Sequence, residues 1–274
     1  MRPGEERNVT AEVPARPVPG VRSPEGDPMR DGARSALVWD VLRQVLAARV
    51  EATGRTALDI VDVGGGTGGF AVPFAALGHH VTVVDPSPDA LAAAQRRAAE
   101  QRVSLTAIQG EADGLDALAG QDRADLVICH NVLEYVDSPA AAMAGIARVL
   151  RPGATVSVLA ANTVAAVLQR ALAGRYDDAR RLLAAAAADG SPGGVSVADA
   201  SAPRRFTLAG LTALIEGAGL RAGDAHGIRV FSGLLPGADP DPGAAEALRS
   251  LEDAAATYPA LRDIAARLHV LAVR

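Results

Sequence analysis

Short apolar runs alternate along the chain with longer segments in which apolar residues recur at helical spacing. An apolar run bounded by turn residues is typical of a buried strand, and the helical spacing is typical of an amphipathic helix. The predicted strands cover residues 58–63, 81–84, 105–108, 126–129, 155–159, 227–234 and 268–273. The predicted helices cover residues 33–52, 70–77, 89–102, 140–150, 162–188, 208–218 and 244–256. This alternation predicts an α/β fold, a doubly wound and mostly parallel seven-stranded sheet with helices on both faces.

The chain divides into an N-terminal tail and one domain. Residues 1–28 mix Pro, Gly, Arg and Glu without periodicity, and such a segment buries too little apolar surface to offset its ordering entropy. We therefore predict a flexible tail at 1–28 and a single domain at 29–274. Within the domain, the breaker cluster at 189–194 predicts a loop, and the segment from about 162 to 207 is predicted to cover the substrate.

Composition and charge narrow the class of protein. All 27 basic residues are arginine, and the formal charge of −5 does not favour binding to nucleic acid through the whole surface. The single cysteine, Cys129, excludes an intramolecular disulfide and a cysteine-based metal cluster. No apolar run reaches the roughly 18 residues of a membrane helix, so we expect a cytoplasmic protein without a membrane partner and without a metal.

A glycine-rich loop is the sharpest local feature. Residues 62–69 read D-V-G-G-G-T-G-G and lie between the first predicted strand and a helix, where glycines permit a tight turn and close approach of a nucleotide. Asp85 ends the second predicted strand, 21 residues after Gly64, and its carboxylate suits ribose hydroxyls. Because Gly64, Gly66 and Gly69 also satisfy G-x-G-x-x-G, these residues alone fit a nicotinamide, a flavin or another nucleoside cofactor.

The order of further motifs separates these possibilities. Asp62 stands two positions before Gly64, the segment 125–135 follows the third predicted strand, and L-R-P-G at 150–153 precedes the fifth. Together these features resemble class I methyltransferases over about residues 57–160. The resemblance implies S-adenosylmethionine as the cofactor and methyl transfer as the activity.

The flanks resemble one family of this class more closely, the bacterial tRNA carboxymethoxyuridine methyltransferases. The likeness spans about residues 32–274 and implies that the carboxylate of a modified wobble uridine in tRNA is the methyl acceptor. It rests on G-A-R at 32–34, L-V-W at 37–39, C-H-N-V-L-E-Y at 129–135, Asn162, A-G-R-Y-D at 173–177, G-I-R-V-F at 227–231 and His269-Val270.

The family resemblance also implies which residues line the site. The implied cofactor-binding residues are Arg34, Gly64, Gly65, Asp85, Ala112, Asp113 and His130. A guanidinium suits the carboxylate of the methionine moiety, and a backbone amide with a short polar side chain suits an adenine edge. On the acceptor side we predict that Arg204, Arg205 and Arg229 orient the substrate carboxylate, since they flank segments that pass over the site mouth in this fold.

One departure from the family leaves the acceptor open. The family has a lysine-rich stretch before its Pro-Arg segment, whereas residues 191–202 contain Asp199 and no basic residue. This departure and the net acidity support an alternative, an O-methyltransferase of a small natural product or metabolite. A third hypothesis is a cofactor-binding regulatory subunit without turnover. Binding to tRNA that falls steeply with salt distinguishes the first from the second.

Overall fold

The structure is a computed structural model that describes residues 36–188, 203–234 and 242–274. In these residues seven strands form one sheet in the order β3-β2-β1-β4-β5-β7-β6. The strands are β1 Asp59–Val63, β2 His80–Asp85, β3 Thr106–Gln109, β4 Ala124–His130, β5 Leu150–Ala161, β6 Arg221–Ile228 and β7 Arg267–Val273. The helices are α1 Ala36–Thr53, α2 Ala71–Ala76, α3 Pro88–Glu100, α4 Leu115–Ala119, α5 Pro139–Val149, α6 Thr163–Leu172, α7 Tyr176–Ala188, α8 Leu208–Gly217, α9 Pro242–Ala256 and α10 Pro259–Arg262.

The topology confirms the predicted fold class. Strands β1 to β5 pair in parallel, while β7 lies antiparallel between β5 and β6. The strand order reverses at β1, which pairs with both β2 and β4. In open α/β sheets, ligands bind at such a reversal, beyond the carboxyl ends of the strands. The first residue of β7 reaches this same edge because β7 runs in the opposite direction.

Apolar clusters cover the two faces of the sheet. On one face, Leu42 of α1 and Phe74 of α2 pack with Ile60 and Val83. On the other, Met143 of α5 joins a larger cluster with residues of β4, β5, α8 and β7. Every residue of β4 from Ala124 to Cys129 is buried, as expected for a central strand that is covered on both sides.

A cluster of charged residues lies at the opposite edge of the sheet, at the amino ends of the strands. The buried carboxylate of Asp125 accepts hydrogen bonds from Arg49 Nε at 3.1 Å, Arg55 Nη1 at 2.6 Å and Arg151 Nη1 at 2.6 Å. It also accepts one from the backbone amide of Asp59 at 3.0 Å. This cluster joins α1, β1, β4 and β5 at the edge of the sheet opposite the carboxyl ends of the parallel strands.

The boundaries of two predicted elements were wrong. The single helix predicted at 162–188 is two helices, interrupted at Gly174, whose φ of +73° lies outside the helical region. The strand predicted at 227–234 instead spans Arg221–Ile228, and a turn follows it. Most of the upstream half of β6 is exposed at the sheet edge, so its polar side chains conceal the strand pattern. The short helices α4 and α10 were not predicted.

Some expectations fall outside the described residues, namely the tail at 1–28, Arg34 and the loop at 189–194. The division into tail and domain therefore stays a prediction, as does the covering role of residues 162–207. Among the described helices, none is both long and apolar enough to cross a membrane.

Candidate functional site

The glycine loop follows β1 directly, and its geometry requires glycine. Gly64 has a φ of +65°, and its amide donates to Val84 O at 2.7 Å. A Cβ atom at Gly64 would lie 2.4 Å from Val132 Cγ2. Gly66 also adopts a positive φ, of +52°. These conformations hold the loop close to the sheet at the reversal of strand order.

Asp85 connects the loop to the end of β2. Its Oδ2 accepts a hydrogen bond from the Gly66 amide at 2.9 Å, and its Oδ1 accepts one from the Ser87 amide at 2.9 Å. Each carboxylate oxygen has two lone pairs, so both retain capacity for a further donor such as a ribose hydroxyl. The structure thus brings Gly64, Gly65 and Asp85 together, as the sequence predicted.

Asp62 lies behind this loop and is 3% exposed. Burial, and then the charge of Asp85, raises its pKa to about 7. Its Oδ2 has no hydrogen-bond partner among the described residues, and a Cβ atom at Gly65 would lie 2.7 Å from it. The glycine at 65 therefore leaves room for a buried carboxyl group directly beneath the loop.

We expect the Asp62→Asn substitution to change how stability depends on pH. Because the pKa of Asp62 is raised in the folded state, its contribution to stability is complete below the unfolded pKa of about 4 and is lost as the pH rises through about 7. Relative to wild type, the variant should therefore gain about 2 kcal/mol in free energy of unfolding between pH 5 and pH 8. Urea denaturation without added ligand measures this difference, and parallel pH profiles would contradict it.

Ala112 and Asp113 form a short 3₁₀ turn after β3. The end of β3 is joined to Asp85, since the Gly110 amide donates to Asp85 O at 3.2 Å. Asp113 Oδ1 is buried and has no hydrogen-bond partner among the residues that the structure describes. An unpaired buried acceptor is costly, so this oxygen suits a ligand amino group.

His130 ends β4 and is held by a chain of side chains. Its Nε2 lies 2.8 Å from Ser157 Oγ, and the same hydroxyl lies 2.7 Å from His269 Nε2. The ring also meets Phe70 edge-on, at 5.0 Å between centroids, which joins it to the end of the glycine loop. Burial, and then the charge of Arg267, lowers the pKa of His130 to about 3, so its imidazole is neutral. The supporting roles of Ser157 and His269 were missed, because the sequence does not reveal which strands are neighbours.

The predicted acceptor-side arginines occupy different environments. The Arg204 guanidinium donates to the backbone carbonyls of Val136 and, at 3.1 Å, Asp137, so it holds the loop after β4. Arg229 lies in the turn after β6 with a φ of +62°, and its carbonyl accepts from the Ala266 amide at 3.1 Å. No observation tests a catalytic role for either residue, and both stay predictions.

Arg205 is half-buried at the carboxyl edge, where the neighbouring Phe206 forms a bridge with Asn162 at the end of β5. Burial, followed by the charges of Arg170 and Arg267, lowers the pKa of its guanidinium. Among the described residues, no hydrogen bond or ion pair holds this guanidinium. Arg205 is therefore placed to receive an anion. Its neighbours Arg267 and Glu134 were not predicted as site residues.

Comparison with known proteins agrees with this architecture. Residues 61–158 match the family described as "Methyltransferase domain". The chain is 31% identical over 153 residues to the tRNA 5-carboxymethoxyuridine methyltransferase of Escherichia coli, covering 53% of this chain and 54% of that protein. It is 36% identical over 103 residues to the ubiquinone biosynthesis O-methyltransferase of Aeromonas salmonicida, covering 38% and 43% respectively. The chain thus spans about half the length of the curated relatives it matches.

A solved structure extends the likeness to most of the fold. The S-adenosylmethionine-dependent methyltransferase from Mesorhizobium loti superposes with a TM-score of 0.57 at 22% identity, covering 89% of this chain and 99% of that one. The strand order, the glycine loop and the matched family agree with one another. Residues 61–158 match a methyltransferase domain, and the chain has the class I methyltransferase fold.

Proposed function

We propose that the protein transfers a methyl group from S-adenosylmethionine to a carboxylate oxygen, and that the acceptor is the carboxymethoxyuridine at the wobble position of tRNA. The observation that carries this proposal is Arg205, a half-buried guanidinium at the carboxyl edge that no described residue holds by a hydrogen bond. Guanidinium groups pair with carboxylates through two parallel hydrogen bonds. The similarity to the Escherichia coli enzyme supports the same acceptor.

The residues at the sheet edge fit such a cofactor. Asp85 has acceptor capacity for a ribose, and the unpartnered Oδ1 of Asp113 suits an exocyclic amino group. The positive φ values at 64 and 66 favour glycine, which has no side chain and so leaves the loop backbone open to a ligand. When bound, S-adenosylmethionine supplies an electrophilic methyl group on a positively charged sulfur.

The acceptor chemistry requires no strong base. A carboxylate is ionised at neutral pH, so its oxygen forms the new bond to the methyl carbon without losing a proton. The methyl–sulfur bond breaks and its electron pair stays on the sulfur. The protein therefore contributes chiefly by holding the oxygen in line and excluding water. The neutral imidazole of His130 is consistent with this view, because it adds no charge at the end of β4.

Removing the Arg205 side chain should weaken acceptor binding. We expect Arg205→Ala to raise the KM for the acceptor and to lower kcat/KM by about 10- to 100-fold, the loss of one or two charge-assisted hydrogen bonds. Steady-state kinetics at saturating S-adenosylmethionine measures this effect. Arg180→Ala is the matched control, because Arg180 is exposed and lies 3.8 Å from Asp177 in a surface pair. Unchanged kinetics for Arg205→Ala would remove this residue from the site.

A small-molecule O-methyltransferase is the second candidate. It is favoured by the similarity to the ubiquinone biosynthesis enzyme and by the absence of basic residues from 191–202. Incubation with labelled S-adenosylmethionine and total tRNA, followed by digestion to nucleosides, separates the two candidates. Label in a wobble uridine ester supports the tRNA acceptor. Label that appears only with a metabolite extract supports the small molecule, and tRNA binding should then show no steep salt dependence.

A further inference from the structure

Glu134 is a buried carboxylate, and only one of its two oxygens accepts hydrogen bonds from the described residues. It is 4% exposed, and its Oε1 accepts from the Ala161 amide at 2.8 Å and lies 3.3 Å from Arg267 Nη1. Its Oε2 is buried and has no hydrogen-bond partner within the described part of the chain. Burial raises the pKa of this carboxyl group. The side chain therefore sits at the carboxyl ends of β4 and β5 with one oxygen uncommitted.

Arg267 is fixed in front of Glu134. Its Nη1 donates to Asn131 Oδ1 as well as to Glu134 Oε1. Asn131 has a φ of +58° and donates its amide to Leu159 O at 2.8 Å, which anchors this acceptor to β5. Arg267 itself begins β7, opposite Ala161. Its guanidinium is therefore pre-organised at the sheet edge.

Arg205 lies at the same edge, because the Arg204 amide donates to Glu134 O at 3.0 Å and the Phe206 amide donates to Ala161 O at 2.8 Å. The guanidinium of Arg205 is half-buried within electrostatic range of Glu134, Arg267 and Arg170, and the last two are also half-buried. Arg170 on α6 is oriented by a hydrogen bond from its Nη1 to Ala166 O at 3.0 Å. With Glu134 ionised, three positive charges and one negative charge leave a net charge of +2. Like charges kept together away from bulk water are unfavourable, and a bound anion relieves that repulsion.

We propose that Arg170, Arg205 and Arg267 form one anion-binding site for the carboxylate of the methyl acceptor, and that Glu134 limits its affinity so that the bound oxygen stays nucleophilic. We expect the site to bind a carboxylate, because Arg267 already pairs with one carboxylate, that of Glu134. Without Glu134, a net charge of +3 would hold the anion more tightly and make its lone pair less available. The proposal rests on the proposed methyl transfer to a carboxylate.

The test uses binding and turnover in parallel. Calorimetry of the full chain with S-adenosylhomocysteine measures the Kd of the nucleoside 5-carboxymethoxyuridine, with uridine as the neutral control and benzoate as a free carboxylate from a different source. We expect Glu134→Gln to tighten nucleoside binding by about tenfold. Arg170→Gln and Arg267→Gln should each weaken it by about tenfold, and uridine should respond to none of these changes.

Turnover then separates affinity from reactivity. Glu134→Gln should lower both KM and kcat, which is the opposite of a simple loss of packing. Arg205→Lys keeps the positive charge but loses the paired N–H donors of the guanidinium. It should therefore recover part of the binding lost in Arg205→Ala. Far-UV circular dichroism and thermal unfolding identify any variant that fails to fold, and the remaining variants then carry the test.

The outcomes distinguish this proposal from the proposed function. If wild type methylates the carboxylate but the charge variants leave the Kd unchanged, the anion site is overturned while the function stands. If the variants shift the Kd as expected but no carboxylate is methylated, the site stands and the function fails. Binding of benzoate as tight as that of the nucleoside would assign the site to free carboxylates.

Discussion

Replacing Asp125 with asparagine is expected to lower the free energy of unfolding by about 3 kcal/mol. The substitution keeps the shape of the side chain but removes the negative charge that three arginines share at the amino edge of the sheet. Breaking a buried ion pair from one side typically costs about 3–5 kcal/mol, because the remaining charge loses its counterion. Arg55 and Arg151 each keep Asp59 as a second counterion at 2.8 Å. Arg55 and Arg151 keep some contact with solvent, so we expect the lower end of this range.

Chemical denaturation measures this effect, and Asp40→Asn is the control. Asp40 pairs with Arg43 on the surface of α1, where both side chains are more than half exposed, so its loss should cost less than about 1 kcal/mol. Equal shifts in the denaturation midpoint for the two variants would mean that burial adds nothing to the Asp125 cluster. Since this cluster lies at the far edge of the sheet, cofactor binding by the folded variant should be unchanged.

Gly64→Ala is expected to have the largest effect on the candidate cofactor site. Its Cβ would lie 2.4 Å from Val132 Cγ2, a separation that side chains do not tolerate, and the positive φ adds strain. The loop must therefore shift away from Val132 and take the Gly66 amide with it. We expect a loss of about 2 kcal/mol in stability and a reduction of S-adenosylhomocysteine affinity of at least about 30-fold.

Calorimetric titration with S-adenosylhomocysteine and urea denaturation check these two effects. Gly217→Ala is the matched control, because Gly217 ends α8 without positive φ and its added Cβ would meet nothing within 4 Å. Alanine there should stabilise the helix by up to about 1 kcal/mol and leave ligand affinity unchanged. Wild-type affinity in Gly64→Ala would show that the loop backbone does not contact the ligand.

Burial explains which parts of the fold could be predicted from the sequence. The central strands are covered on both faces, so their residues form continuous apolar runs such as Leu126–Cys129. The edge strand β6 is covered only in part, and Arg221 and Asp224 interrupt the pattern that would have revealed it. The turn after β6 was mistaken for a strand because its apolar residues, such as Val230, are buried although they do not belong to the sheet.

In the candidate site, too, some residues could be predicted from the sequence and others could not. The glycine loop and Asp85 are local signals at a fixed spacing, and the structure brings them together. Arg267 and His269 reach the site only because β7 runs antiparallel beside β5, and pairing between distant segments cannot be deduced from one sequence. Glu134 was not predicted as a site residue, because its partial hydrogen bonding depends on the Ala161 amide across the sheet edge.

One side chain accepts three consecutive backbone amides of the turn after β6. Glu252 of α9 accepts hydrogen bonds from the Val230, Phe231 and Ser232 amides, at 2.6, 3.1 and 2.7 Å. Breaking three amide contacts at once requires the carboxylate to withdraw, and with it the helix that carries Glu252. We therefore expect the backbone amides of the turn to become exposed to solvent together, when Glu252 withdraws, rather than residue by residue.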